Sequence, residues 1–111
     1  MARDARWAEN GDMPRPIALT EAEITDGVAL LPEWSRDGLF LRRTIAAESF
    51  ADAISLIVRI GFLAEAADHH PDIDLRWRNV SVTLTTHDAG GISVLDLDLA
   101  KLIDHAAAGA A

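Results

Sequence analysis

Cysteine is absent from this chain of 111 residues, and lysine occurs once, as Lys101. Without cysteine the protein can form no disulfide, no thiolate nucleophile and no zinc site built on thiolates. The absence also fits a reducing compartment. Basic residues are few, 10 against 18 acidic ones, and the one adjacent basic pair is Arg42-Arg43. Binding of nucleic acid or of an anionic membrane surface is therefore disfavoured, because both attract clustered positive charge.

Long apolar runs are also absent. No segment approaches the roughly 20 apolar residues that cross a bilayer, and residues 1–16 lack the apolar stretch of a signal peptide. We therefore expect a cytoplasmic protein that contacts no membrane. Residues 1–17 mix charged residues, glycine and proline without a period, which predicts a poorly ordered arm. Residues 18–108 are predicted to form a single domain with one hydrophobic core.

The first half of that domain predicts a helix, a hairpin and a longer helix. Thr20 and Glu23 have the spacing of a capping box, and Pro32 ends the helix that they begin. Residues 34–45 have the alternation of a hairpin, with its turn at Asp37-Gly38.

The longer helix is apolar on two sides. Ser49 and Asp52 can cap its start, and it must end near Asp68 or His69, because Pro71 disfavours helical geometry at the preceding residue. One side carries Phe50, Ile54, Ile57, Val58 and Gly61, and another carries Leu56, Ile60 and Leu63. Such a helix cannot expose either side to water. One side should cover a sheet and the other a partner subunit, which predicts an oligomer.

A second hairpin and a third helix complete the pattern. The hairpin turn is predicted at Arg78-Asn79, because asparagine tolerates positive φ. Ser93 and Asp96 can cap the last helix, and the Ala-Gly tail after His105 is expected to fray. The order α-β-β-α-β-β-α predicts an α+β fold, in which a four-stranded antiparallel sheet carries three helices on one face.

Three of the four histidines occupy two places in this predicted fold. His69 and His70 lie where the long helix ends, and His87 lies at the end of the last strand. Imidazole is the side chain best suited to moving protons near neutral pH. The helix C-terminus and Glu65, four residues upstream, both favour the protonated form of His69, which suits a general acid. Histidines in different local fields can divide acid and base roles.

Plainer interpretations exist for the same residues. A histidine pair before a proline can be a helix stop, and His87 can be a solvated surface residue. The three histidines could instead bind zinc together with one carboxylate. Asp96 could serve only as a helix cap, and Glu65 only as a solvated helical carboxylate.

A wider set of segments points beyond these single residues. Residues 64–71 end in Asp-His-His-Pro, and His87, in a Leu-Thr-Thr-His-Asp segment, follows His70 by seventeen residues. With residues 77–80, Gly90-Gly91, Asp96 and residues 99–100, these segments resemble the pterin-4a-carbinolamine dehydratase family. The resemblance covers residues 19–104 and includes Trp34 after the first helix.

The resemblance implies an activity. The family removes water from 4a-hydroxytetrahydrobiopterin to give the quinonoid dihydropterin, which recycles the pterin used by aromatic amino-acid hydroxylases. A general acid must protonate the leaving 4a-hydroxyl and a base must take the N5 proton, so no metal or other cofactor is expected. The expected partners are the pterin substrate and further copies of the chain in a homodimer or homotetramer, with a functional link to such a hydroxylase.

The resemblance also implies site residues. The implied catalytic set is His69, His70, His87 and Asp96. The implied substrate-binding set is Glu65, Asp68 and Trp34. His69 and His87 correspond to the acid/base pair and His70 to the main pterin-binding histidine, while Trp34 is equally well interpreted as a core residue. Which histidine gives the proton stays open, and the helix-end argument favours His69.

Two departures and two alternative functions accompany this interpretation. The family often has an aromatic residue and asparagine where this chain has Trp77-Arg78, and Phe-x-Phe where it has residues 45–47. One alternative is a non-catalytic binding or assembly module on the same fold. Such relatives tend to lose the histidines, so the complete set here favours the enzyme. The other alternative is an unrelated metal-binding protein.

Overall fold

The computed structural model describes residues 16–110, so residues 1–15 of the predicted arm lie outside the described part. Within it, three α-helices and a four-stranded antiparallel sheet confirm the predicted α+β class and element order. The helices are α1 (Glu21–Ala29), α2 (Phe50–Ala67) and α3 (Val94–Ala110). The strands are β1 (Ser35–Asp37), β2 (Phe40–Ala46), β3 (Asp72–Arg76) and β4 (Asn79–Leu84), in the order β1-β2-β4-β3.

Local capping explains where the first two helices begin. The Thr20 hydroxyl accepts from the Glu23 amide at 3.2 Å, and the Glu23 carboxylate accepts from the Thr20 amide at 2.9 Å, which completes the predicted capping box. The Ser49 hydroxyl accepts from the Asp52 amide at 3.0 Å and starts α2 as predicted. These bonds satisfy amides that have no partner within their own helix.

The core lies between the sheet and the helices. The central strands bury residues on one face, namely Leu41 and Ile45 of β2 and the alternate residues Val80, Val82 and Leu84 of β4. The buried residues of the two long helices complete the same core: Ala53, Leu56, Ile60 and Ala64 of α2, and Leu99, Ala100 and Ile103 of α3. The period of two in β4 is thus the half-buried pattern that its sequence predicts.

Helix α2 is apolar on two sides, as predicted, and only one of them is covered. The other side carries Phe50, Ile54, Val58 and Phe62, which follow one another at intervals of four residues. We call these four residues the outer face of α2. All four are exposed, and Phe62 is 75% exposed. Within residues 16–110, no helix is long and apolar enough to cross a membrane.

The turn of the first hairpin is Gly38-Leu39, one residue later than predicted, because Asp37 pairs with Phe40. The turn of the second hairpin lies one residue earlier than predicted. Arg76 pairs with Asn79, and Trp77 has a φ of 53°, so the turn is Trp77-Arg78 and Asn79 opens β4. The Arg78 guanidinium lies over the Trp77 ring at 4.7 Å and donates to the Ala47 carbonyl at 3.2 Å. The turn is therefore fixed by the connection between β2 and α2, which the β3–β4 pattern does not reveal.

The prediction that the tail after His105 frays is also wrong. Helix α3 continues to Ala110, and Ala106 and Ala107 are buried against the core. A helix end that packs in this way is stabilised by burial of its apolar face, which outweighs the weak propensity of its glycine.

Candidate active site

The end of α2 directs its two histidines differently. Asp68 follows the last helical residue in a left-handed conformation (φ 51°, ψ 42°), and its amide donates to the Glu65 carbonyl at 3.1 Å. The next amide, that of His69, reaches back to the Ala64 carbonyl at 3.0 Å. This is the closing pattern that satisfies the last carbonyls of a helix. It leaves His69 only 9% exposed, whereas His70 remains at the surface.

His69 meets a fully buried carboxylate. Its Nε2 lies 2.6 Å from Oδ1 of Asp96, the third residue of α3, and Asp96 is 0% exposed. The other carboxylate oxygen, Oδ2, accepts from the Ser93 amide at 2.9 Å and from the Thr86 hydroxyl at 2.8 Å. A buried carboxylate is tolerated only when donors surround it. Asp96 therefore joins the start of α3, the segment after β4 and the end of α2.

A short loop holds Thr86 in this cluster. Thr86 and Gly91 exchange backbone hydrogen bonds of 3.1 and 3.3 Å, and Gly90 takes the left-handed conformation (φ 72°) that lets the chain return. The Thr86 hydroxyl also lies 2.7 Å from that of Ser93. Both side chains are buried. Polar contacts around the buried Asp96 carboxylate therefore hold the loop in place.

His87 lies in this loop rather than at the end of β4. The strand ends at Leu84, and His87 begins a 3₁₀ turn, His87–Ala89. His87 is exposed and directly follows Thr86, whose hydroxyl contacts Asp96. The fold thus brings His69 and the His87 segment together through hydrogen bonds to one carboxylate.

His70 pairs with Glu65 at the protein surface. Its Nε2 lies 2.8 Å from Glu65 Oε1, and both side chains are exposed. An exposed ion pair contributes little to stability, typically about 0–1 kcal/mol. The contact therefore serves better to orient the imidazole than to hold the fold.

Trp34 lies in the core, away from the histidines. It is 4% exposed, and its indole Nε1 donates to Asp104 at 2.7 Å. Asp104 also pairs with Arg43. It follows Asp96 by eight residues on α3, which is about 12 Å along a helix. The geometry therefore favours the core interpretation, and substrate binding by Trp34 stays a prediction.

Thr86 and Ser93 belong to this cluster, although neither is predicted as a site residue from the sequence. Thr86 and Ser93 contact Asp96 or its partners, yet only Ser93 was singled out, and only as a cap. The signal in the sequence was the position of Thr86, which follows Leu84 by two residues and so continues the alternation of buried residues in β4.

Across residues 16–110, no group of three histidine or acidic side chains is placed to hold a metal ion, so the geometry gives the zinc interpretation no support.

Sequence comparison connects this cluster with known proteins. The family described as "Pterin 4 alpha carbinolamine dehydratase" matches residues 17–106. A protein from Roseiflexus sp. (strain RS-1), named "Putative pterin-4-alpha-carbinolamine dehydratase", is 52% identical over 86 residues, which cover 78% of this chain and 92% of that protein. A protein of the same name from Nocardia farcinica is 49% identical over 89 residues, covering 80% of this chain and 94% of that one.

Solved structures share the fold. A "transcriptional coactivator/pterin dehydratase" from Brucella melitensis superposes with a TM-score of 0.78 at 28% identity, covering 81% of this chain and 98% of that one. A "pterin dehydratase-like protein" described as a RuBisCO assembly factor in the alpha-carboxysome gives a TM-score of 0.56 at 23% identity, covering 67% of this chain and 86% of that one. The second likeness concerns the fold alone. Because these two proteins are described with different roles, the fold does not decide the activity, and the site residues must carry that argument.

Proposed function

The chain belongs to the pterin 4 alpha carbinolamine dehydratase family, and we propose that it is itself a 4a-hydroxytetrahydrobiopterin dehydratase, a hydro-lyase that works by histidine general acid–base catalysis. The observation that carries the proposal is the 2.6 Å contact between His69 and the buried carboxylate of Asp96. A carboxylate in this position serves a histidine that gains and loses a proton, because it orients the ring and stabilises the imidazolium that forms.

The proposed reaction needs two proton transfers and nothing else. Protonation of the 4a-oxygen lets it leave as water with the electron pair of the C4a–O bond. Loss of the N5 proton then supplies the electrons of the C4a=N5 bond, and the product is the neutral quinonoid dihydropterin. Imidazoles can supply both transfers near neutral pH. No electron leaves the substrate and no covalent adduct forms, so the chemistry fits a chain without cysteine.

The three histidines take different parts in this proposal. His69 and His87 form the acid/base pair, with His69 as the acid because it contacts the buried carboxylate of Asp96. His70, held by Glu65, is exposed and contacts the pterin. Asp68 directly precedes the His69-His70 pair in the sequence and is proposed to help bind the substrate.

We also propose that the protein works as a homodimer or homotetramer through the outer face of α2. Gly61 lies beside that face, and no atom beyond the adjoining backbone of its own helix lies within 4 Å of where a Cβ would stand, so nothing in the described residues 16–110 covers this part of the helix. Burying four large apolar side chains against a second copy would contribute about 1.5–3 kcal/mol for each. A functional link to an aromatic amino-acid hydroxylase, and a cytoplasmic location, which the absence of cysteine fits, belong to the same proposal.

The direct test is a dehydration assay on chemically prepared 4a-hydroxytetrahydropterin. Formation of the quinonoid product is followed with and without the purified protein, because the substrate also loses water on its own. A chelator is present throughout, so that any acceleration is independent of a removable metal. Saturable acceleration supports the proposal. No acceleration at any protein concentration would overturn it and would favour the non-catalytic binding module.

A further inference from the structure

The hydroxyls of Thr86 and Ser93 form a directed chain toward Asp96. Thr86 has one hydroxyl proton, which it donates to Asp96 Oδ2 at 2.8 Å. The hydrogen between Thr86 and Ser93, whose oxygens are 2.7 Å apart, therefore comes from Ser93. Ser93 Oγ in turn accepts from the Leu95 amide at 3.2 Å. Every hydrogen bond in the chain thus points toward the carboxylate.

This direction fixes where the proton between Asp96 and His69 resides. Oδ2 already accepts from the Thr86 hydroxyl and from the Ser93 amide, so it carries no proton of its own. The remaining contact joins Oδ1 to His69 Nε2 at 2.6 Å. A carboxylate can only accept hydrogen bonds, so Nε2 is the donor in that contact and carries the proton. A neutral His69 is then the Nε2–H tautomer, and its other nitrogen, Nδ1, carries the free lone pair.

The surroundings of Nδ1 agree with this assignment. Within residues 16–110, the His69 ring makes one hydrogen bond, through Nε2. In the same part of the chain, Arg43 Nε is the one buried side-chain nitrogen or oxygen that lacks a partner. Nδ1 also lacks a partner there and is not fully buried, so it retains some contact with solvent. Nδ1 is therefore the ring nitrogen left for a bound molecule, whereas Nε2 is turned toward the buried carboxylate.

We propose that Thr86 and Ser93 are positioning residues: they orient Asp96 so that it holds the proton of His69 on Nε2, and Nδ1 becomes the nitrogen that exchanges protons with the substrate. The part that concerns substrate rests on the proposed function. The part that concerns the tautomer does not, because it follows from the unliganded protein.

The tautomer is measured by nitrogen NMR of the protein labelled with ¹⁵N-histidine. His69 is assigned from the signals lost in His69→Gln, and the ring is followed through its titration. We expect Nδ1 to lose its proton as the pH rises, while Nε2 keeps its proton. If Nε2 is the nitrogen that titrates, the proposal is overturned. The titration itself is followed on the wild-type protein, with the variant used only for assignment, and it needs no active enzyme.

Substitution then tests the positioning role. Thr86→Val removes the hydroxyl at nearly constant shape. Thr83→Val is the control, because Thr83 lies on β4, three residues before Thr86, and makes no hydrogen bond through its side chain within residues 16–110. In Thr86→Val we expect a mixture of His69 tautomers and a kcat lowered roughly 10- to 100-fold, with a nearly unchanged KM. Thr86→Ser, which keeps the hydroxyl, should restore both. Wild-type tautomer and kcat in Thr86→Val would contradict the role. An inactive wild type with the Nε2–H tautomer would refute the proposed function alone.

Discussion

The two carboxylate oxygens of Asp96 have different roles: Oδ2 caps helix α3, and Oδ1 contacts His69. Oδ2 accepts the Ser93 amide at 2.9 Å and so caps α3, while Oδ1 lies 2.6 Å from His69 Nε2. The plain interpretation of Asp96 as a cap is therefore correct, and it does not exclude the functional one. The cap holds the carboxylate in the only orientation that leaves Oδ1 facing the end of α2.

Asp96→Asn should keep the helix cap and disrupt the contact with His69. The asparagine oxygen can still accept from Ser93 and Thr86, so the fold is kept, but its amide then faces Nε2 of His69 as a second donor. The ring must lose the Nε2–H tautomer, and we expect kcat to fall by roughly 10²- to 10⁴-fold. Asp98→Asn, an exposed position on the same helix, is the control. A kcat of Asp96→Asn equal to that of the control would contradict a catalytic role for Asp96.

His70→Ala should act mainly on substrate binding. The side chain is exposed and its partner Glu65 is exposed too, so the thermal midpoint should not change. We expect KM to rise several-fold more than kcat falls, because His70 is proposed to contact the pterin without moving its protons. Initial rates over a range of substrate concentrations separate the two constants. An unchanged KM would show that His70 does not bind the pterin.

Phe62→Glu should disrupt self-association. It places a charge in the apolar interface proposed for the outer face of α2, and an unpaired charge is costly to bury. Sedimentation equilibrium should give an oligomer for the wild type and a smaller species for the variant. Leu30→Glu is the control, since Leu30 is equally apolar, 73% exposed and outside that face. A wild type that is monomeric, or a variant with the wild-type mass, would rule out this interface.

Glu21→Gln should change how stability depends on pH. A hydrogen bond and the charge of Arg36 lower the pKa of Glu21. A lowered folded-state pKa stabilises the fold above the unfolded-state pKa, and this contribution disappears as the pH falls through the folded-state pKa. Urea unfolding should therefore show a small loss in Glu21→Gln at neutral pH and none in acid. Glu33→Gln, where the carboxylate is exposed and makes no ion pair within residues 16–110, is the control. Equal losses at both pH values would contradict the pairing.

Local signals made most of the fold predictable, whereas long-range contacts account for what was missed. Thr20, Ser49 and the alternation of β4 act within a few residues, so each could be identified from the chain alone. The turn at Trp77-Arg78 depends on Ala47, far away in sequence, and was misplaced for that reason.

The candidate site divides in the same way. The histidines could be found from residue chemistry and from the family resemblance. That Thr86, Ser93 and Asp96 would share one buried cluster could not, because it depends on how β4, α2 and α3 pack. The interior position of Trp34 likewise depends on Asp104 of α3.

The central claim is that His69 moves a proton during dehydration. The most direct measurement compares kcat of His69→Gln with that of His105→Gln in the dehydration assay. Glutamine can still donate a hydrogen bond to Asp96 but cannot transfer a proton, so the fold is kept and the chemistry is removed. His105 is exposed on α3, nine residues beyond Asp96. We predict a loss of roughly 10²- to 10⁴-fold for His69→Gln and none for His105→Gln. A loss below about threefold for His69→Gln, far under the usual range for acid–base catalysis, would contradict the account.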